Sequence, residues 1–378
     1  MVNPEQHIKE AVCQVCSGEF AQLRSIVLTG SMARQESSFS NRNGSWHCEG
    51  DAECLLVFDS RSKLPDSAWI ASAIRQIDDR LGVAGICCPV YLSPVTMNYF
   101  RKMQPHIFGY ELRMCGDVIW GDPAVLRAIP EFGAGDIPKE DAWRMLANRL
   151  IELLECAASD LRSDAPLTPA LQYKLGKLYL DMASSYLIFV NAFEAGYRRR
   201  AEILEQVAAA QPNHPFQSLE TFVERVRSAT RYKLQGEGTV DERASCIFAA
   251  ITDAKALWLW ELKELSQSPS GMPKQSAYQR LRGWSFVARR CGWGETLRYG
   301  TRWLTGGLRS SPRYSIYRAA TEILFGLGTP VAESKTALVS DELSRLLPVV
   351  RHNQSANWRE MAVEIGWNYH QFLEATRA

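Results

Sequence analysis

Two carboxylates placed two residues apart, Asp51 and Glu53, open the apolar run Cys54–Phe58. Alternate side chains of a strand share a face, so both acids would offer oxygen ligands to one divalent cation. Upstream, the run Arg24–Thr29 (RSIVLT) ends at Gly30-Ser31. A glycine there lets a phosphate approach the backbone, and the following residues are expected to begin a helix whose N-terminus favours anions. Arg34 sits one turn into that helix, within reach of a phosphate oxygen. Backbone amides that cradle a triphosphate, with paired carboxylates that hold Mg²⁺ against it, are what phosphoryl and nucleotidyl transfer require. The plain alternative is a Gly-Ser turn and two solvated acids at a strand edge.

These residues need a sheet to position them, and the surrounding pattern supplies one. Residues 1–22 read as a helix. Arg24–Thr29, Asp51–Phe58 and Gly85–Leu92 read as strands, and Ser67–Leu81 and Val95–Met103 as helices. The polar stretch Ser37–Gly50 reads as a loop, and Tyr110–Trp120 as a hairpin turning at Gly116-Asp117. The alternation predicts an α+β or α/β domain over residues 1–133. Glu131–Pro138 (EFGAGDIP) has the composition of a linker. Beyond it strand signals almost vanish, and apolar residues recur at helical spacing in Lys139–Ser163, Pro169–Ala195, Arg198–Ala210, Ser218–Lys233 and Arg243–Leu265. A second break at Leu265–Lys274 divides this all-α part into 139–265 and 275–378.

The segments LTGSMARQES and GDAECLLVF resemble the nucleotidyltransferase superfamily typified by DNA polymerase beta. The shared pattern is an apolar strand, Gly-Ser, a helix, then Asp-x-Asp/Glu opening a second apolar strand. IFGYELRMCGDVIWGD resembles the end of such a domain in small bacterial members, so the likeness covers about residues 20–130. The resemblance implies a mixed sheet in which Gly30 and Ser31 hold the β- and γ-phosphates of a nucleoside triphosphate. It also implies that Asp51 and Glu53 bind one or two Mg²⁺ (or Mn²⁺) ions. The implied enzyme transfers a nucleoside monophosphate to a small-molecule or protein acceptor, with pyrophosphate leaving. Two departures stand out. The spacing from Gly30 to Asp51 is longer than in compact members, with Ser37–Gly50 absorbing the difference. The third carboxylate, which the family places on the next central strand, has no counterpart in GICCPVYL. Glu111 is the nearest substitute for that group, or else a strand carboxylate paired with Arg113. The gap admits a second reading, a degenerate member that binds nucleotide or scaffolds partners without turnover.

In the helical part, Lys174, Lys177 and Asp181 fall on one stripe. They are either a polar face that neutralises phosphate, with Asp181 as a base, or the solvated side of a packed helix with a Lys177–Asp181 ion pair. The cluster Tyr197-Arg198-Arg199-Arg200 is expected near a helix end, where cations complement the dipole. Residues 274–318 carry ten basic residues against a single acid, Glu295, so this segment is +9 and the remainder −8 of a net +1. Interleaved with Trp284, Trp293, Trp303, Tyr299, Tyr314 and Tyr317, they suit nucleic acid, an anionic membrane surface or a phosphorylated acceptor, or an internal acidic face. The lone C-x-x-C, Cys13 and Cys16, lacks the further ligands of a zinc site and reads as two reduced thiols. With no spanning segment and no secretory signal, the expected compartment is the cytoplasm.

Overall fold

The computed structural model describes residues 3–20, 22–161, 166–210, 214–235, 245–266, 311–327, 347, 349 and 357–376. Two compact units emerge. The first takes Met1–Pro138 with two later returns, Asn191–Ile203 and Thr230–Gly238; the second takes Lys139–Val190, Leu204–Ala229 and Thr239–Ala378. The first is a mixed-sheet α/β unit and the second is helical.

In the first unit, helix α1 (Pro4–Glu19) starts where the Asn3 side chain accepts from the Gln6 N–H and Pro4 takes the first turn. Its buried stripe Ile8, Val12 and Cys16 packs on strands β1 (Leu23–Thr29) and β4 (Ala52–Phe58), and helix α3 (Ser67–Val83) adds Ala73, Ile77 and Leu81 to the same core. Strands β5 (Ile86–Cys87), β6 (Val90–Thr96) and β7 (Asp117–Gly121) follow. The main sheet runs β6-β4-β1-β7, with β1 antiparallel to both β4 and β7 and β4 parallel to β6. Strand β4 is central, which explains why everything after Glu53 in it is apolar and buried.

Several expectations need correcting. The stretch read as a loop, Ser37–Gly50, contains the hairpin β2 (Phe39–Arg42) and β3 (Ser45–Cys48), which joins β5 in a second sheet. Asn43 and Gly44 turn it with φ of 53° and 86°, the left-handed pair that a two-residue hairpin turn demands. The segment read as a hairpin, Tyr110–Trp120, is instead the end of helix α5 (Ile107–Cys115) leading into β7; the short helix α4 (Met97–Arg101) precedes it. The buried face of α5, Gly109, Tyr110 and Leu112, shows that packing outweighed the turn signal of Gly116-Asp117. The helix expected after Gly30-Ser31 is a single turn, α2 (Gly30–Ala33).

The second unit is built from α6 (Lys139–Asp160), α7 (Pro169–Phe189), α10 (Ser245–Leu265), α11 (Pro312–Leu327) and α12 (Trp358–Thr376), with parts of α8 (Tyr197–Ala210) and α9 (Leu219–Gln235). At its centre Trp143 stacks on Trp258 with ring centroids 4.6 Å apart, and Tyr314 and Tyr317 close around the pair at 5.7 Å. Such rings contribute large buried area and a small geometric preference.

One buried acid lies in this core. Glu261 is fully buried, the Ser185 hydroxyl donates to its Oε1 at 2.5 Å, and its Oε2 has no partner among the described residues. Burial pushes its carboxyl from 4.5 up to about 8. The folded chain therefore keeps a proton that the unfolded chain has released, and stability falls as pH rises between these two values. The loss is on the order of 5 kcal/mol once the pH passes the folded value. Glu261→Gln, neutral at every pH, should melt higher than the parent in mildly alkaline buffer and close to it in mild acid; parallel melting curves that keep the parent's pH slope in the variant would remove Glu261 as the cause.

Candidate functional site

The site forms where the ends of β1 and β4 meet. Thr29 and Glu53 are register partners, and the Thr29 hydroxyl donates to the Glu53 carbonyl at 3.2 Å. Gly30 then turns the chain with φ +68°, and a Cβ there would stand 2.6 Å from Glu53 Oε2. The glycine is thus required twice, by its left-handed backbone and by the carboxylate packed on its Cα. Buried Met32 anchors the turn from below. The Glu36 N–H closes it by donating to the Ser31 carbonyl at 2.8 Å. In a one-turn helix the first amides, including that of Ser31, have no intrahelical acceptor.

Asp51 opens β4 from the other side. The Ala52 N–H donates to the Pro89 carbonyl at 2.9 Å, which fixes the strand start directly after Asp51. Asp51 is half-buried, Ala52 buried and Glu53 exposed, the alternation expected of two acids on one face. Next to them, the point where a Gly50 Cβ would lie is 3.4 Å from Lys233 Nζ and 3.7 Å from Ser31 Oγ. Gly30, Ser31, Asp51 and Glu53, all expected at the site, are therefore brought together, and Lys233 joins them. The sequence reading missed Lys233. It lies in the last turns of α9, in a segment that belongs to the first unit, and no local pattern marks it out from the other basic residues of that helix.

Arg34 and Glu111 occupy a different place. Arg34 donates from Nε to Glu36 Oε2 at 3.0 Å and from Nη1 to Glu111 Oε2 at 2.8 Å. The other Glu111 oxygen accepts from Arg200. Glu36 Oε1 accepts the Arg198 backbone N–H at 3.0 Å, at the start of α8, where the dipole favours an acid. The two guanidinium groups lie over Tyr197 at 5.1 and 5.2 Å, and Arg200 also over Phe193 at 4.4 Å. This is a four-charge network, two positive and two negative, in which Glu36 and Arg200 are buried and Arg34 and Glu111 partly so. Burial, with Arg34 nearby, lowers the Arg200 guanidinium to about 9, still well above neutrality, so it keeps its charge. The expectation that Arg34 reaches a phosphate gives way to this role, because its side chain is committed to two carboxylates. Glu111 likewise sits between two arginines rather than standing in as a third metal ligand. Its alternative partner, Arg113, pairs with Glu131 at 3.0 Å. The cluster Tyr197–Arg200 lies at the N-terminus of α8 rather than at a helix C-terminus, and the acids Glu36 and Glu111 offset the unfavourable dipole.

The stripe Lys174, Lys177 and Asp181 belongs to α7 in the second unit and is tied to α6. Lys174 pairs with Glu152 at 2.7 Å and Asp181 with Arg149 at 2.7 Å, while Lys177 lies over the Tyr173 ring at 5.2 Å. Both acidic and basic members are therefore used in packing two helices. Most of residues 274–318 lies outside the described residues. Its end, in α11, is structural, with Arg313 over the Phe372 ring at 4.8 Å and Arg318 paired with Glu322 at 2.8 Å.

Carboxylates such as Asp51 and Glu53 are hard-oxygen donors, the kind that Mg²⁺ accepts. Among the described residues no group of three or more His, Cys, Asp or Glu side chains is arranged to hold a metal unaided. Among the described residues, no helix is long and apolar enough to cross a membrane. No protein-family model, curated protein or solved structure matches this chain.

Proposed function

We propose that the first unit binds a nucleoside triphosphate with Mg²⁺ (or Mn²⁺) and transfers its nucleoside monophosphate to a small-molecule or protein acceptor. The single observation that carries this reading is the packing of the Glu53 carboxylate on Gly30, with Ser31 and the Lys233 ammonium at the adjoining Gly50. An amide-lined turn, a cation and paired acids are thereby held within one small region. Bound Mg²⁺ would neutralise phosphate charge and polarise the phosphorus that is attacked. Asp51 and Glu53 would hold that ion, with β4 buried behind them so that neither carboxylate drifts. The turn amides and Ser31 would orient the terminal phosphates, and Lys233 would neutralise their charge. The resemblance to the DNA polymerase beta-like nucleotidyltransferases points to the same assignment.

The test begins with calorimetry of the intact chain against each nucleoside triphosphate, with and without Mg²⁺. Tight binding that requires Mg²⁺ is expected, and no binding of any nucleotide would end this reading. Lys233→Met keeps the apolar stem and removes the charge. It should weaken triphosphate binding by about 10- to 100-fold, the worth of one charged hydrogen bond, and leave binding of the bare nucleoside unchanged. Equal losses for both ligands would make Lys233 a packing residue only.

A second reading is favoured by one feature. Strand β6 (VYLSPVT) places exposed Tyr91 opposite Glu53 and contributes no acid. A domain of this kind would bind the nucleotide, alone or as a scaffold for partners, without turning it over. Mg²⁺-dependent binding with no pyrophosphate release from labelled nucleotide, even when a cell extract supplies acceptors, would select it. Binding of nucleic acid or an anionic membrane through residues 274–318 remains a third proposal, marked by a steep salt dependence.

A further inference from the structure

Strands β3 and β5 pair in parallel, with Trp46 opposite Ile86 and His47 opposite Cys87. The next residues are Cys48, the last of β3, and Cys88, the first beyond β5. Their placement is pinned on both sides: the Trp46 N–H donates to the Gly85 carbonyl at 2.8 Å, and the Ala52 N–H to the Pro89 carbonyl at 2.9 Å. Neighbouring strand positions lie about 4.8 Å apart, inside the range of about 4.4–6.8 Å that a disulfide spans between Cα atoms. Buried Cys88 belongs to the core of this unit, and half-buried Cys48 packs against the same core. Exposed Cys87 is one residue away, and strand alternation turns it to the opposite face from Cys88. Half-buried Cys48 gives a small oxidant access to the pair, and buried Cys88 is held behind it.

We propose that Cys48 and Cys88 are an oxidisable dithiol, a modification site for peroxide-class oxidants that closes to a disulfide beside Gly50-Asp51. The two sulfurs are not equivalent. Neighbouring Cys88 holds the Cys48 thiol below its ordinary range, aided by the Gly50 backbone and the Lys233 charge and opposed by burial and Asp51. Cys48 beside it, with burial, pushes the Cys88 thiol up. Half-buried Cys48 is the sulfur of the pair that an oxidant can reach, and it is therefore the nucleophile. Its thiolate attacks one peroxide oxygen and the O–O bond breaks, leaving a sulfenic acid and a hydroxide that takes up a proton. The Cys88 sulfur then attacks the Cys48 sulfur; the S–O bond breaks and hydroxide leaves as water with the proton that Cys88 gives up. Two thiols and one hydrogen peroxide become one disulfide and two waters, the two electrons passing from sulfur to oxygen.

The bond would tie down a particular loop. Between the His47–Cys87 and Ala52–Val90 partners, one strand runs through residues 48–51 and the other through 88–89 only. The surplus is Glu49-Gly50, the stretch that delivers Asp51. The register of these strands carries the proposal, whatever ligand the neighbouring turn takes.

The experiment treats the intact chain with hydrogen peroxide, blocks remaining thiols with an alkylating reagent and maps the peptides without reduction. Cys48 and Cys88 peptides should appear linked, two hydrogens lighter than their sum, with the link lost on reduction and retained in Cys87→Ser. In Cys88→Ser the Cys48 sulfenic acid should persist and be trapped by a dione reagent. Full alkylation of both thiols after treatment, a Cys48–Cys87 link, or oxidation that stops at Cys48 in the parent chain would each overturn the assignment.

Discussion

Asp51→Asn is expected to lower pyrophosphate release by about a thousandfold, since a metal supplies several kcal/mol of charge stabilisation and each 1.36 kcal/mol is a factor of ten. The amide has the shape of the acid it replaces, and Asp51 is only half-buried at the start of β4, so the fold and its melting temperature should hardly move. The Mg²⁺-dependent part of nucleotide binding should fall with turnover, leaving the part due to the turn and Lys233. Release from labelled nucleotide is measured with a cell extract as the source of acceptor, alongside calorimetry with and without Mg²⁺. Undiminished release would take Asp51 out of the metal site, and with it the chemical reading of the Asp-x-Glu pair.

Glu111→Ala should be the most destabilising single change in the first unit. It removes the carboxylate that both Arg34 and Arg200 grip. Glu36 would then be the only acid of the network facing two buried guanidinium groups. Breaking a buried pair from one side costs about 3–5 kcal/mol, because the partner charge stays behind without compensation. Thermal or urea unfolding should show a shift of that order. Replacing both Glu111 and Arg200 by apolar residues should cost much less than the sum of the two single changes. An unfolding midpoint unchanged in Glu111→Ala would show that water screens the network.

The contrast between these two acids also shows what was legible in the residue order. Asp51 and Glu53 precede an apolar run whose alternation fixes their common face, and Gly30-Ser31 ends another such run. Both signals are local, and the pairing of Thr29 with Glu53 follows from the two runs lying side by side. The hairpin of β2 and β3 was equally local, marked by Asn43-Gly44, but the polar flanks hid it. Glu111 could not be placed in the same way. Its segment has a tight-turn pair at Gly116-Asp117 and enough apolar residues for a strand, and the burial of Tyr110 and Leu112 decided for a helix. Lys233 lay further out of reach, because its neighbour Gly50 is far away along the chain and nothing within α9 distinguishes it. The mixed-sheet first part and helical second part were readable from periodicity; the way later segments return to the first part was not.

That return limits how the protein can be divided. A fragment stopped in the Gly- and Pro-rich stretch near residue 133 would lack Asn191–Ile203 and Thr230–Gly238. Glu36 and Glu111 would face water without Arg200, Tyr110 would lose Phe193, and the ammonium beside Gly50 would be gone. The first third of the chain is thus only part of the first unit, and grafting it onto another protein would leave behind the segments that complete its charge network.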